Sequence, residues 1–185
     1  MNKIIAIVGM AGAGKTEATK YLETKNIPFA RFGQITDETI STLGLPLIQE
    51  NERMVREKLR QELGMAAYAI KMKPRIDKLL KDHDVIVLDG LYSWEEYTFL
   101  KKELLSLILI HVFAEPPKRY ERLSKRAIRP LSLKEARGRD IAELEELDKG
   151  GPIAIADYII VNNGDDIKEL HREVDKLLKR LGIDA

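Results

Sequence analysis

Gly9-Met10-Ala11-Gly12-Ala13-Gly14-Lys15-Thr16 fits the pattern G-x-x-x-x-G-K-[ST] at every position. Each fixed position has a physical reason. Glycines at 9, 12 and 14 let the backbone take positive φ and approach phosphate oxygens with no Cβ in the way. The loop's N–H groups then turn inward and form an anion nest. Lys15 brings a charge to the β and γ phosphates, and Thr16 brings a hydroxyl to Mg²⁺. The string follows a short apolar run, Lys3 to Val8, and opens a helical pattern with Ala18, Tyr21 and Leu22 on one face. Strand, loop and helix in that order make a chance glycine-rich turn a poor alternative. The stretch therefore predicts binding of ATP, with residues 9 to 16 as the cradle.

Outward from the loop, four more β-branched runs appear: Ile27 to Phe32, Val85 to Asp89, Ile108 to Phe113 and Tyr158 to Val161. Most are apolar throughout rather than alternating, as strands of a parallel sheet covered on both faces are. Helical patterns lie between them. In the last, Ile167, Leu170, Val174, Leu177, Leu178 and Leu181 share a face, with Asp165 and Asp166 at the start and Gly182 at the end. Strands alternating with helices predict a three-layer α/β domain across residues 1–185.

Two longer helical stretches interrupt this rhythm, at about 37–82 and about 117–148. They carry the basic charge of a chain whose formal net charge is only +1. From Pro117 to Arg139 there are nine Lys and Arg against two Glu, and from Arg53 to Arg75 seven against two. Basic islands in an acidic background predict local anion sites rather than a nucleic-acid surface. No apolar run approaches the roughly 20 residues that a bilayer needs, so no membrane partner is expected. The run Ile4 to Val8 is too short for a signal sequence, and there is no cysteine, which suits the cytoplasm.

Val85-Ile86-Val87-Leu88-Asp89-Gly90 is an apolar strand ending in an acid. Asp89 is a candidate Mg²⁺ residue beside Thr16, against a plain turn former completed by Gly90. Arg119, Arg122 and Arg126 are spaced three and four apart on one helix face, and Arg137 and Arg139 follow. They are either lid arginines for a transferring phosphate, with Arg122, Arg126 and Arg139 catalytic, or a solvated basic face. Arg53, Arg56 and Arg60 also share a face, and with Arg75 they either hold an anionic acceptor or pair with Glu57 and Glu62. Tyr92, Trp94 and Tyr97 either line a groove for a flat base or form partial core. His83, His111 and His171 have no ligand spacing and read as structural.

These segments together resemble the nucleoside monophosphate kinase group of P-loop kinases, including archaeal adenylate-kinase-like proteins and dephospho-CoA kinase. The phosphate loop, Asp89-Gly90-Leu91, Arg119 to Arg126, Arg137-Gly138-Arg139-Asp140 and Ala156 to Asn163 carry the likeness in order. The resemblance implies the P-loop NTPase fold with a five-stranded parallel sheet in the order 2-3-1-4-5. It also implies an acceptor-binding insertion at 37–82 and a lid at 117–148. Arg119 would flank the adenine, and Asn162, otherwise a strand-end turn, would lie near it with Asn163. The implied activity is ATP- and Mg²⁺-dependent transfer of phosphate to a nucleotide-like small molecule, by a monomer or homodimer. Two acceptor arginines of the group are missing, one where Asp37 stands and one within Leu91-Tyr92-Ser93-Trp94. Asp37 instead suits a base for a hydroxyl acceptor, as in a dephospho-CoA-kinase-like reaction. A nucleotide-dependent switch is the reading of a different class.

Overall fold

The computed structural model describes residues 2–127 and 130–184. Five strands form one parallel sheet in the order β2-β3-β1-β4-β5. They are β1 (Lys3–Val8), β2 (Phe29–Arg31), β3 (Val85–Asp89), β4 (Leu107–Phe113) and β5 (Tyr158–Val161). The order matches the sequence expectation. The strands also match, except that β2 is shorter than the apolar run suggested.

Alternation along β1 shows why the sheet is covered twice. Ile4, Ala6 and Val8 face one core, with Phe32, Ile40, Met72, Ile76, Leu88 and Leu100. Ile5 and Ile7 face the other, with Leu22, Val112, Leu170, Val174 and Leu177. Period-two geometry sends neighbouring side chains to opposite faces, so a strand buried on both must be apolar throughout. The second core is closed by α1 (Lys15–Thr24) and α9 (Ile167–Arg180), whose apolar stripe runs from Leu170 to Leu181 as predicted, while Ile167, expected in it, is exposed at the helix start. β5 departs from the pattern. It is an edge strand, and Ile159 and Val161 are 64% and 58% exposed although their composition reads as core.

The stretch expected at 37–82 is three helices and starts earlier. They are α2 (Gly33–Thr42), α3 (Gln49–Leu63) and α4 (Ala67–Asp82). Gly44 and Gly64 break the helical run at positive φ, 66° and 75°, where a residue with a Cβ would be strained. After β3 comes α5 (Trp94–Glu103), and after β4 come α6 (Pro116–Ser124), α7 (Leu133–Glu145) and the short α8 (Gly150–Ala154). α5 starts on a capping box in which Ser93 and Glu96 serve each other's backbone N–H groups. Among the described residues no helix is long and apolar enough to cross a membrane.

Candidate functional site

Parallel strands put their carboxyl ends on one edge of the sheet, and loops at that edge meet in space. β1 runs directly into the loop of residues 9 to 14, and α1 begins at Lys15. Gly9, Gly12 and Gly14 have φ of 141°, 80° and 108°. Each is also packed from behind. A Cβ on Gly9 would stand 2.3 Å from the Val112 carbonyl oxygen, one on Gly12 2.7 Å from the Arg119 carbonyl oxygen, and one on Gly14 2.3 Å from Asn162 Nδ2. Among the described residues, no backbone carbonyl accepts the N–H groups of Gly12, Gly14, Lys15 or Thr16. A loop with its back filled and those donors free fits a phosphate chain. Gly14→Ala should therefore cost about 1–3 kcal/mol of stability through strain at this φ, read from urea unfolding curves.

The loop is backed by Asn162 and Arg119, which the resemblance put near the adenine, and by Arg122, expected as a lid arginine. Asn162 is buried and donates from Nδ2 to the Ala13 carbonyl at 2.8 Å. Arg119 donates from Nη1 to the Ala11 carbonyl at 3.0 Å and from Nε to the Ala114 carbonyl at 3.2 Å. It also grips Asp140 on α7 through Nη1 and Nη2. Arg122 donates to the Asn162 and Gly164 carbonyls at 2.9 and 2.6 Å. These three side chains reach the loop and the end of β5 from behind. Asn163 lies close by, exchanging hydrogen bonds with Glu115.

Register brings the acids together. Asp89 ends β3 beside Ile7 of β1 and Arg31 of β2. Burial pushes the Asp89 carboxyl up, against the pull of Lys15 and Arg31. Arg31 is ion-paired with Asp37, so Asp37, Arg31 and Asp89 form a chain of alternating charge along the edge. Thr16, exposed in the first turn of α1, and Asp89 are groups of the chemistry that a Mg²⁺ ion takes. Among the described residues no cluster of three acids or histidines offers a self-sufficient metal cage.

Lys15 stands at the centre. Its ammonium donates to the Met10 carbonyl at 3.0 Å and, among the described residues, makes no direct ion pair. Burial above all, then the nearby Lys149 cation, lowers its pKa to about 7, against the pull of Glu143 and Asp89. Arg139 adds to the lowering. Lys149 and Glu143 were not singled out by their sequence context, yet both are buried here. Lys149 Nζ lies 2.5 Å from Glu143 Oε2 and 4.9 Å from the Tyr92 ring centre, and Arg139 Nε lies 3.0 Å from Glu143 Oε1. Burial raises the Tyr92 phenol to about 12, with Asp89 adding to it. Arg126 is exposed, and Arg139 is near enough to help lower its pKa, after burial. Arg137 lies on α7 beside Gly138, exposed.

The arginines of α3 divide. Arg53 pairs with Glu57 and Arg56 with Glu52, rather than with Glu62. Arg60 turns over the Tyr68 ring, and its Nε is buried with no acceptor among the described residues. Arg75 pairs with Glu38 through Nη2, while its Nη1 is likewise buried without a partner among the described residues. Trp94 and Tyr97 pack at 5.4 Å at the start of α5. His171 stacks on Tyr21, and His111 meets Phe113 edge-on, while His83 follows the end of α4.

A family model described as an AAA domain matches residues 5–144. The chain is 37% identical to a UPF0200 protein of Thermococcus sibiricus, over 97% of this chain and 96% of that one. It is 31% identical to a UPF0200 protein of Methanocaldococcus jannaschii, over 96% and 90%. Solved structures share the fold at low identity. Shikimate kinase from Bacteroides thetaiotaomicron superposes with a TM-score of 0.59 at 18% identity, covering 98% of this chain and 99% of that one. A putative kinase from Chloroflexus aurantiacus gives 0.62 at 17%, covering 97% of both. A gluconokinase from Sinorhizobium meliloti gives 0.53 at 14%, covering 97% and 95%.

Proposed function

The chain belongs to the UPF0200 family and to the AAA-domain family, and on that premise we propose that it is an ATP-dependent phosphotransferase acting on a nucleotide-like small molecule. One observation carries the reading. The free N–H groups of the loop, Lys15, Thr16 and Asp89 converge at the carboxyl edge of a sheet with the P-loop kinase order. In this reading the loop holds the ATP phosphates, and Lys15 meets the γ-phosphate. Thr16 and Asp89 would hold Mg²⁺, which would supply charge neutralisation at the phosphates. Helices α2 to α4 form the acceptor side, and α6 and α7 form the lid. The reaction belongs in the cytoplasm, where ATP is.

The γ-phosphorus leaves the β–γ bridging oxygen, which departs with ADP, and bonds to an acceptor oxygen. Such transfers depend on positioning and charge stabilisation more than on covalent help. Arg60 and Arg75 favour an anionic or polar acceptor, because each keeps a buried nitrogen that nothing among the described residues accepts.

A second reading, transfer to a hydroxyl, is favoured by Asp37. Its carboxylate is ion-paired with Arg31, the cation that also acts on Asp89 at the strand end, and from there it would take the hydroxyl proton. The comparison names point the same way, since shikimate kinase and gluconokinase are named for hydroxyl-bearing acceptors. Nucleoside monophosphates, nucleosides and dephospho-CoA, each incubated with ATP and Mg²⁺, are expected to yield one phosphorylated product by mass spectrometry. No product from any of them, with ATP hydrolysis alone, would instead favour a nucleotide-dependent switch. Asp37→Asn should slow a hydroxyl acceptor about 10²–10⁴-fold and leave a phosphate acceptor nearly untouched. Undiminished turnover of a hydroxyl acceptor removes Asp37 from the chemistry.

A further inference from the structure

Lys149 lies more than a hundred residues from the phosphate loop, yet it is only 2% exposed and sits near Lys15. Its place is built by α5 and α8 together. The Glu96 carboxylate accepts from the Tyr92 and Ser93 N–H groups and so fixes the turn carrying Tyr92. The Tyr92 ring lies under the Lys149 ammonium. Gly151 fits against the Trp94 ring so tightly that a Cβ would stand 2.5 Å from it, which locks the start of α8. Such a scaffold is more than an ion pair needs. Buried pairs are often no more stabilising than apolar residues of the same volume.

The pair is also unbalanced. One carboxylate, Glu143, has one oxygen on Lys149 and the other on Arg139. Lys15 is a third cation within electrostatic reach but not in ion-pair contact with it. Two cations thus contact one carboxylate, and a third, Lys15, lies within its field and that of Asp89. A terminal phosphate has three non-bridging oxygens and about two charges, a closer match to such a set than one carboxylate.

We propose that Lys149 is a phosphoryl-contacting residue, and that Glu143 holds the place between Lys149 and Arg139 that the γ-phosphate of ATP takes on binding. The inference rests on the reading of the loop as an ATP site and adds two residues to it. Glu143 would then compete with a γ-phosphate but not with ADP, which lacks one.

Titration calorimetry with Mg²⁺ and either ADP or the non-hydrolysable imido analogue of ATP tests this. Glu143→Gln should raise the preference for the triphosphate over ADP by about tenfold, and Lys149→Met should lower it by about tenfold, the scale of one charged hydrogen bond. Breaking a buried pair from one side costs stability. Arg139→Gln is therefore included, since the Arg139 side chain is 45% exposed and its loss spares the fold. It too should lower the preference. An unchanged ratio in all three variants, or a lowered ratio in Glu143→Gln, overturns the inference while leaving the loop reading intact. A wild-type chain that binds neither nucleotide overturns both.

Discussion

Lys15→Met should cut phosphoryl transfer about 10³-fold, the scale of removing one preorganised charge from a transition state, without lowering the melting temperature at pH 7. The two halves of this expectation have one cause. Lys15 is half-buried near Lys149 and Arg139, and its pKa is lowered from 10.5 to about 7. In the free protein its charge is therefore a strain on the fold, relieved when a phosphate arrives. Methionine keeps the chain length and removes the strain. The sign can be followed with pH. Below about pH 7 the folded and unfolded chains both carry the proton, and the penalty is full. Between about 7 and 10.5 the unfolded chain keeps the proton that the folded chain sheds, so stability rises with pH. Above 10.5 both are neutral. Melting curves across this window should rise more steeply for wild type than for Lys15→Met. The same titration makes triphosphate binding take up a proton above pH 7, visible as a dependence of binding heat on buffer ionisation. Equal pH slopes for the two proteins would mean that the Lys15 ammonium is not strained.

The sheet was legible because parallel strands buried on both faces leave a strong trace, and Lys3–Val8 and Val85–Asp89 are apolar almost to the last residue. The phosphate loop was legible because backbone need dictates residue type there. The limits have equally physical reasons. Tyr158–Val161 reads as fully buried but forms an edge, since composition records β preference and not neighbours. Arg119 and Arg122 do share α6, but Arg126, expected on the same face, lies beyond the helix end at Ser124, and spacing cannot say that the face turns toward loop carbonyls instead of solvent. Lys149 follows Asp148 in an ordinary charged turn and belongs to no motif. Only the packing of α8 on α5 carries it to Lys15. Glu143 sits in a helix with little amphipathic pattern, among Glu145 and Glu146, and nothing local separates a buried acid from its exposed neighbours. What the sequence hides at this site is proximity made by tertiary packing.

Arg119→Ala should destabilise the protein by about 3–5 kcal/mol, the range for one partner lost from a buried ion pair. For a chain of this size that is a fall in melting temperature of about 10 °C. Arg119 is 4% exposed and Asp140 7%. The guanidinium meets both Asp140 oxygens, at 2.9 and 2.6 Å, and Tyr120 adds a bond at 2.9 Å. Alanine would leave a buried carboxylate with one neutral partner and would orphan the Ala11 and Ala114 carbonyls. The effect on the loop is separable from the effect on the fold. The double substitution Arg119→Leu, Asp140→Leu removes both charges and fills the space, so most of the stability should return. The Ala11 carbonyl would still lack its anchor, and triphosphate affinity should stay well below wild type. Denaturant unfolding and nucleotide titration of the three proteins separate the two roles. If the double variant regains affinity together with stability, Arg119 serves the ion pair alone, and the tie from α6 to the phosphate loop has no part in shaping it.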